Sequence, residues 1–317
     1  MIPIVYKSTD ANAPVLSGTR GALINVLTKC LVEGYGEKLP AGWAREYANA
    51  ELTIAAFRNN PTTGNGVFLR IDEATPGSSS GFYMQGYEVM TDETNGVGKF
   101  YDAPTSMLVG KSNAADASSR AWVLIASDKT LYLFIFNAAA DFTGYPNGEV
   151  IAFGDFVKLT NEGFNSLIGR GYGNWDSTAG MLQPLNIAAA GSGLIRSSRN
   201  VAGVDTPNSL WMGACSITVT YSYQVGNYGP VFDGSRLFLA RPLVGDSSTF
   251  NIRGFLPGYY LPWHMYYNFN LLQELTVDGR TFLNIKFCHN FNANSIVGSD
   301  SFNYNIMIEI GADWDAV

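Results

Sequence analysis

The side chains that most often perform catalysis are few in this sequence, and their spacing assembles no known catalytic centre. The 317 residues include two histidines, His264 and His289, so a zinc site built from three histidines cannot form. Cys288 directly precedes His289, and consecutive side chains on a β-strand point to opposite faces, which is poor geometry for a thiol and its general base. We therefore predict no Cys-His catalytic pair.

Two glycine motifs resemble nucleotide-binding loops without matching them. Gly110-Lys111-Ser112 is similar to the end of a phosphate-binding loop, but Thr105 stands where that loop has its first glycine. Gly169, Gly171 and Gly173 lack the full G-x-G-x-x-G spacing and the strand-helix-strand pattern that should follow it. We predict that these glycines make turns and that the chain binds no nucleotide.

Paired carboxylates are the remaining route to catalysis, because glycosidases use two acids roughly 5 to 10 Å apart. The acids are scattered, and the neighbouring ones are Asp72 and Glu73, Glu88 and Asp92, and Asp313 and Asp315. Charges on loops and strand edges are the favoured interpretation. We predict no enzymatic activity, no cofactor and no metal, and a hydrolase that uses two of these acids is the minor alternative.

An aromatic segment at 255–270, FLPGYYLPWHMYYNFN, is the most unusual stretch of the chain. Pro257 and Pro262 predict a shaped loop, because proline interrupts regular structure. Tyrosine and tryptophan bury a large area while keeping a polar tip, so the segment is suited to contact with another molecule. Contact between subunits is favoured over core packing and over stacking on sugar rings. The predicted contact residues are Tyr259, Tyr260, Trp263, Tyr266 and Tyr267.

Charge and composition exclude some partners and indicate the fold class. Twenty basic and twenty-seven acidic side chains give a net charge of −7, which repels nucleic acid. Charged residues make up 15% of the chain, against a usual share of about 25%, so we expect other subunits to cover part of the surface. The 34 glycines, 17 tyrosines and 19 phenylalanines are typical of an aromatic-rich β protein with many turns.

Cysteine use and hydropathy indicate where the chain is made. Cys30, Cys215 and Cys288 are an odd and scattered set, which predicts no disulfide framework. The first residues lack the basic and apolar regions of an export signal. The longest apolar runs, at 121–126 and 131–136, are far shorter than the roughly 18 residues of a membrane span. We predict a chain made in a reducing cytoplasm, with no membrane partner.

One amphipathic helix is predicted near the start. Ser17 or Thr19 can cap it, and Gly34 and Gly36 can provide a left-handed exit. Its apolar positions recur at helical spacing and should pack on a sheet, namely Leu23, Val26, Leu27, Cys30 and Leu31.

Short β-type runs fill most of the remaining chain. In the first half they lie at 43–47, 52–57, 67–71 and 82–89, and a hairpin joins 121–127 to 130–137 through Asp128 and Lys129. Both hairpin arms are nearly continuous apolar runs, which predicts burial on both faces. In the second half Asp278-Gly279 predicts a two-residue turn, and the strands are expected at 214–223, 235–244, 276–287 and 302–310.

The middle of the chain, from about 137 to 215, is rich in glycine, alanine, asparagine and serine, which is typical of long loops or a domain boundary. We predict an N-terminal domain at 1–150 with the helix and a β domain, and a C-terminal β domain at 151–317. The boundary can fall anywhere between 140 and 210, and one large β domain is the alternative. The predicted fold class is mainly β, with antiparallel sandwich or jelly-roll-like sheets, one amphipathic N-terminal helix and long Gly-rich loops.

Several segments together resemble a family of known proteins. They are PIVYKSTDANAPVLSGT at the start, LVEGYGEKLPAGWAREY at the helix end, RAWVLIASDKTLYLFIF in the centre, and RGFLPGYYLPWH, GRTFLNIKF and IEIGADW near the C-terminus. In this order they resemble virion structural proteins of tailed bacteriophages of about this length.

The resemblance implies a non-enzymatic component of the virion, assembled in the cytoplasm of the bacterial host. Its partners would be other virion proteins and copies of itself, without direct contact to nucleic acid or membrane. Neck or collar, tail and baseplate are favoured over decoration of the capsid. A receptor- or glycan-binding virion module is the alternative.

Overall fold

Antiparallel strands dominate the chain, as the composition predicts. The computed structural model describes residues 1–100, 107–142, 149–161, 163–170, 194–199, 202, 205–214, 239–246, 251–262, 269–290 and 301–314. Helix α1 (Ala22–Leu27) continues into a π-helical segment (Thr28–Glu33). The strands are β1 (Ile4–Lys7), β2 (Ala44–Ala48), β3 (Ile54–Arg58), β4 (Phe68–Asp72), β5 (Gly81–Met90), β6 (Gly96–Lys99), β7 (Met107–Gly110), β8 (Ala121–Ala126), β9 (Thr130–Phe136), β10 (Glu149–Asp155), β11 (Val157–Lys158), β12 (Ser166–Arg170), β13 (Leu194–Arg199), β14 (Asp205–Ala214), β15 (Leu239–Ala240), β16 (Pro242–Asp246), β17 (Ile252–Phe255), β18 (Tyr259–Pro262), β19 (Glu274–Val277), β20 (Arg280–Asn290) and β21 (Ser301–Glu309).

The strands form three sheets stacked in layers. The middle layer is a ten-stranded sheet in the order β1-β8-β9-β10-β12-β13-β14-β16-β17-β11. On one face it packs against α1 and a six-stranded sheet, β2 to β6 with β7 also paired to β5. On the other face it packs against a five-stranded sheet in the order β15-β18-β21-β20-β19. Each interface is one apolar core, so the two largest cores of the described residues lie on opposite faces of the central sheet.

The β8–β9 hairpin explains why the central sheet is apolar on both faces. Trp122 and Leu124 face the core shared with the six-stranded sheet, whereas Val123 and Ile125 face the core shared with the five-stranded sheet. Alternate side chains of a strand point to opposite faces, so a strand between two cores must be apolar throughout. The two-residue loop at 128–129 and the burial of both arms confirm the prediction.

Helix α1 packs its predicted stripe into the first core. Leu23, Val26, Leu27, Cys30 and Leu31 are all buried there. Gly34 and Gly36 have positive φ angles, 80° and 53°, so glycine ends the helix as predicted, although Gly34, with a ψ angle of 170°, is not in the left-handed helical conformation. The predicted caps are wrong, because Gly21 is the N-cap residue and no side chain of Ser17 or Thr19 caps the helix. Neither helical segment in the described part of the chain has the length and apolar character of a membrane-spanning helix.

Seven strands of the central sheet form a closed ring of pairing, in which β10 and β11 act as one strand. Strand β11 follows β10 after the single residue Phe156, so the two act as one strand. From β10 the pairing runs through β12, β13, β14, β16 and β17 and returns to β11, and every pair is antiparallel. The buried Arg253 side chain braces this ring, because it donates to the carbonyl oxygens of Arg199 (2.8 Å) and Phe164 (2.9 Å) and pairs with Asp246 (3.4 Å).

The Gly-rich middle contains more strands than the sequence predicts. Strands β10, β11, β12, β13 and β14 lie between 137 and 215, where the sequence predicts long loops, and residues 171–193 lie outside the described residues. Position 150 lies inside β10, whose residues are all buried, so a domain boundary at that position would cut a central strand. The division into two domains, with a boundary between 140 and 210, stays a prediction.

The C-terminal strands agree with the sequence, with one interruption. Asp278 and Gly279 both have positive φ angles, 49° and 78°, which confirms the tight turn between β19 and β20. The single strand predicted at 235–244 is instead divided at Arg241: Leu239–Ala240 pairs in the five-stranded sheet and Pro242–Asp246 in the ten-stranded sheet. Of the strand predicted at 214–223, residues after Ala214 lie outside the described part.

Candidate functional site

The aromatic segment predicted as a contact loop begins as a strand in the interior. Tyr259–Pro262 forms β18, so the prediction of a loop is wrong for these residues. Tyr259 is completely buried in the core beneath the central sheet, and its ring centroid lies 5.6 Å from that of Tyr132. Trp314 completes this group, with its ring centroid 5.3 Å from that of Tyr132. Tyr259 therefore stabilises the fold and is not available for external contact.

Tyr260 lies on the opposite face of β18, in a polar group that we call the arginine–tyrosine cluster. Its members are Arg241, Tyr260, Arg280 and Glu309. The Tyr260 hydroxyl oxygen accepts hydrogen bonds from Arg241 Nε (2.6 Å) and from Arg280. Arg280 also forms a bidentate salt bridge with the Glu309 carboxylate. The ring of Tyr260 is itself buried, so this predicted contact residue cannot touch another molecule directly. It can contribute to a contact only by orienting Arg241 and Arg280.

The charges in this cluster are unevenly matched. The hydrogen bonds to Glu309 raise the pKa of Arg280 above its ordinary value, and those to Tyr260 add to this effect. The guanidinium carbon of Arg241 lies 4.5 Å from the ring centroid of Phe255 and 5.1 Å from that of Tyr260. Two cations and one carboxylate leave a net positive charge, so the cluster is suited to bind an anionic group.

The other three predicted contact residues, Trp263, Tyr266 and Tyr267, lie outside the described residues. Their role in subunit or glycan contact stays a prediction. For stacking on sugar rings, the burial of Tyr259 and Tyr260 removes two of the five proposed aromatic side chains. A glycan site in this segment would have to use the other three.

Each of the neighbouring acids that the structure describes forms a hydrogen bond or a salt bridge within the fold. Asp72 accepts hydrogen bonds from the backbone of Ala74 and Thr75, and Glu88 forms a salt bridge with Arg199. The other three have the following partners: Glu73 pairs with Lys111, Asp92 closes a turn at Thr94 and Asn95, and Asp313 binds the N-terminal amino group at 2.7 Å. Asp315 lies outside the described residues. Each of these described acids therefore contributes a contact to the fold.

Lys111 shows why the phosphate-loop motif fails. The side chain is completely buried and donates to the Glu73 carboxylate and to the backbone oxygen of Thr19. The same carboxylate accepts the backbone N–H groups of Leu23 and Ile24, each at 3.3 Å, at the start of α1. Burial lowers the pKa of Lys111, and the charge of Glu73 opposes that change. Lys111 therefore anchors the helix and cannot reach a nucleotide.

Glu149 is a buried carboxyl group with a strongly shifted pKa. Burial raises its pKa to about 7, although the charge of Arg170 and a hydrogen bond from the Gly110 backbone act in the opposite direction. Such shifts are common at catalytic sites. Here the group lies at the start of central strand β10 and is 5% exposed, a position that makes it a component of the core.

Two concave regions lie where the layers meet, on either side of Asn65. One encloses about 400 Å³ and is lined by Val67, Glu88, Phe164 and Arg199. The other encloses about 310 Å³ beside Asp155, Lys129, Asn165 and Trp314. Asn65 donates from its side chain to Asn165 (3.0 Å) and Ser166 (2.8 Å), which closes the wall between the two regions.

The polar groups around these regions are mostly bonded to one another. Asp155 accepts hydrogen bonds from Ser166 Oγ (2.6 Å) and the Asn65 backbone (2.8 Å), and burial raises its pKa. Within the described ranges, no group of three or more histidine, cysteine or acidic side chains is arranged to hold a metal ion. The arginine–tyrosine cluster is therefore the best candidate for contact with another molecule.

Arg241, Arg280 and Glu309 were not predicted as site residues. The available signal was a lone arginine within the apolar run FLARPLV, because a charge inside a predicted strand marks an interruption or a contact. Comparison of the chain with protein-family models and with curated proteins gives no match.

Proposed function

We propose that this chain is a non-enzymatic structural component of a tailed-bacteriophage virion. It would associate with copies of itself or dock on other virion proteins, at the neck or collar, tail or baseplate rather than as decoration of the capsid. In this role the chain acts by associating with other subunits. Burial of apolar surface contributes roughly 25 cal/mol per Å² to the free energy of binding before the costs of association, and repeated copies add avidity.

The observation that carries this proposal is a sequence resemblance. Six segments, found in the same order from one end of the chain to the other, resemble virion structural proteins of tailed bacteriophages. Low charge density adds support, since a chain with 15% charged residues has little polar covering for an isolated surface. The four most exposed large apolar side chains in the described part of the chain are Leu39, Val97, Val15 and Leu159. Their exposure is consistent with surfaces that other subunits cover.

The layered architecture also suits a building block. Two cores on opposite faces of one sheet make a rigid body, because packed interiors resist deformation. The outer edge of β1 is protected, since Lys38 Nζ binds the Val5 carbonyl oxygen (2.9 Å) and Asp10 accepts the Lys7 N–H (2.9 Å). Such capping prevents uncontrolled strand pairing. Association would then proceed through side-chain surfaces.

Disruption of the gene in the phage that encodes it tests this proposal. Electron microscopy of the resulting lysate should show incomplete particles, with heads or tails that fail to join or mature, and supplying the chain from a plasmid should restore complete particles. Complete and infectious particles without the chain would contradict an essential structural role.

A further inference from the structure

Arg241 is held by contacts that leave most of its hydrogen-bond donors available. Phe255 and Tyr260 stack beside its guanidinium group, and its Nε donates to the Tyr260 hydroxyl oxygen. No other hydrogen bond or ion pair to Arg241 occurs in the described ranges of the chain. A guanidinium group has five N–H donors in a planar fork that matches a carboxylate. The terminal nitrogens of Arg241 are therefore positioned to receive one.

Apolar side chains border this basic site. Leu275 and Val277 of β19 are half-buried and pack on the same apolar group as Tyr260 and Phe282. The charge of Arg280 is matched by Glu309, so Arg241 provides the unmatched positive charge. The surface around the arginine–tyrosine cluster therefore presents one positive charge, that of Arg241, beside the partly exposed aliphatic side chains of Leu275 and Val277.

The β5–β6 hairpin carries the complementary combination. Val89 and Val97 lie directly opposite each other on the two strands and are 53% and 67% exposed. In the turn between them, hydrogen bonds from Asn95 and Thr94 lower the pKa of Asp92, which keeps it ionised. Glu93 binds Arg70 only through its backbone oxygen, and within the described chain its carboxylate has no partner.

From these two surfaces we propose a specific contact between copies of this chain. The Glu93 carboxylate of one copy binds Arg241 of the next, while Val89 and Val97 cover Leu275 and Val277. This inference rests on the proposed function, because it requires self-association. A second copy is the occupant that the structure favours, since one chain carries both halves of the charge and apolar complementarity.

The position of the two surfaces determines the kind of assembly. The hairpin belongs to the six-stranded sheet and the arginine–tyrosine cluster to the five-stranded sheet, and these sheets lie on opposite faces of the central sheet. A contact between unlike surfaces repeats head to tail, and it produces a ring if the rotation closes or a filament if it does not. The contact therefore predicts ring-like or tubular oligomers rather than an isolated two-fold dimer.

Sedimentation velocity of the purified full chain over a range of concentrations tests this contact. Val97→Asp places a charge in the apolar part and should weaken association at least about tenfold. Leu52→Asp is the matched control, since Leu52 is 44% exposed and lies in the β2–β3 turn, at the opposite end of the six-stranded sheet from the β5–β6 turn, and it should leave association unchanged. Thermal unfolding of each variant verifies that it is folded.

A charge exchange provides a second arm. Glu93→Arg and Arg241→Glu should each weaken association, because each places two like charges opposite each other. Combining them in one chain should restore association, because every contact then pairs an arginine at position 93 with a glutamate at position 241. The contact is overturned if the wild-type chain stays monomeric at all concentrations, or if the Val97→Asp and Glu93→Arg variants associate as tightly as the Leu52→Asp control.

These failures are separable from failure of the proposed function. Incorporation of the wild-type chain into phage particles is measured independently, by detecting it in purified virions. If the Val97→Asp and Glu93→Arg variants form oligomers as the wild type does, and the wild-type chain is present in virions, only this contact is overturned. A chain absent from virions overturns the proposed function as well.

Discussion

Lys111 and Glu73 form an ion pair in which both side chains are completely buried. The Glu73 carboxylate also accepts the backbone N–H groups of Leu23 and Ile24 in the first turn of α1, so one acid satisfies both a lysine and a helix start. The pair connects the end of β7 to the only α-helix of the described chain. It is a structural centre formed by residues that the sequence places 38 positions apart.

Replacing Lys111 by Met should destabilise the protein by about 3–5 kcal/mol, because it leaves the Glu73 carboxylate buried without a counter-charge. The double variant Glu73→Gln with Lys111→Met should lose less than Lys111→Met alone, since no uncompensated charge remains. Urea unfolding of the three proteins measures this difference. A Lys111→Met variant within 1 kcal/mol of the wild type would mean that the pair is solvated.

Glu149→Gln should stabilise the protein at neutral and alkaline pH. The native pKa of Glu149, about 7, lies above its ordinary value of 4.5, so the native state holds this proton more tightly than the unfolded state. Wild-type stability should therefore fall, relative to Glu149→Gln, as pH rises from about 4.5 to 7, and level off above that. The full difference is of the order of 3 kcal/mol at most. Unfolding free energies that differ equally at pH 4.5 and pH 8 would contradict this assignment.

Gly258→Ala should be much more damaging than Gly279→Ala. Both glycines have left-handed φ angles, 65° and 78°, so both substitutions carry about 1–2 kcal/mol of backbone strain. A Cβ atom at Gly258 would lie 2.1 Å from Trp314 Nε1, whereas one at Gly279 would meet no atom within 4 Å. Thermal unfolding compares the two. Equal melting temperatures would show that Trp314 does not pack as described.

Leu27→Asp should prevent folding, because it buries a charge in the first core beneath α1. Asn25→Asp is the control, since Asn25 is exposed on the same helix and should tolerate the change. Circular dichroism and yield of soluble protein measure the outcome. A folded Leu27→Asp variant with wild-type thermal stability would place this face of the helix in solvent.

The features predicted from sequence are those set by local pattern. The stripe from Leu23 to Leu31, the apolar hairpin at 121–137 and the Asp278-Gly279 turn each follow from side-chain period or backbone preference within a few residues. These local rules fix the mainly β, antiparallel fold class.

The features that were missed depend on contacts between distant residues. Tyr259 and Tyr260 were placed in a loop because prolines flank them, but pairing with β21 holds them in a strand. Arg241 was assigned to a continuous strand, although the chain there passes from one sheet to another. The ion pair of Glu73 and Lys111 likewise depends on the meeting of β7 and α1, which no local pattern encodes.

Counting this chain in purified particles tests the central claim most directly. The proposed function predicts that quantitative mass spectrometry of density-purified phage particles, produced by the genome that carries this gene, detects its peptides at many copies per particle and in a fixed ratio to the particle's other proteins. Virions that lack the chain, while it remains soluble in the same lysate, would contradict the account.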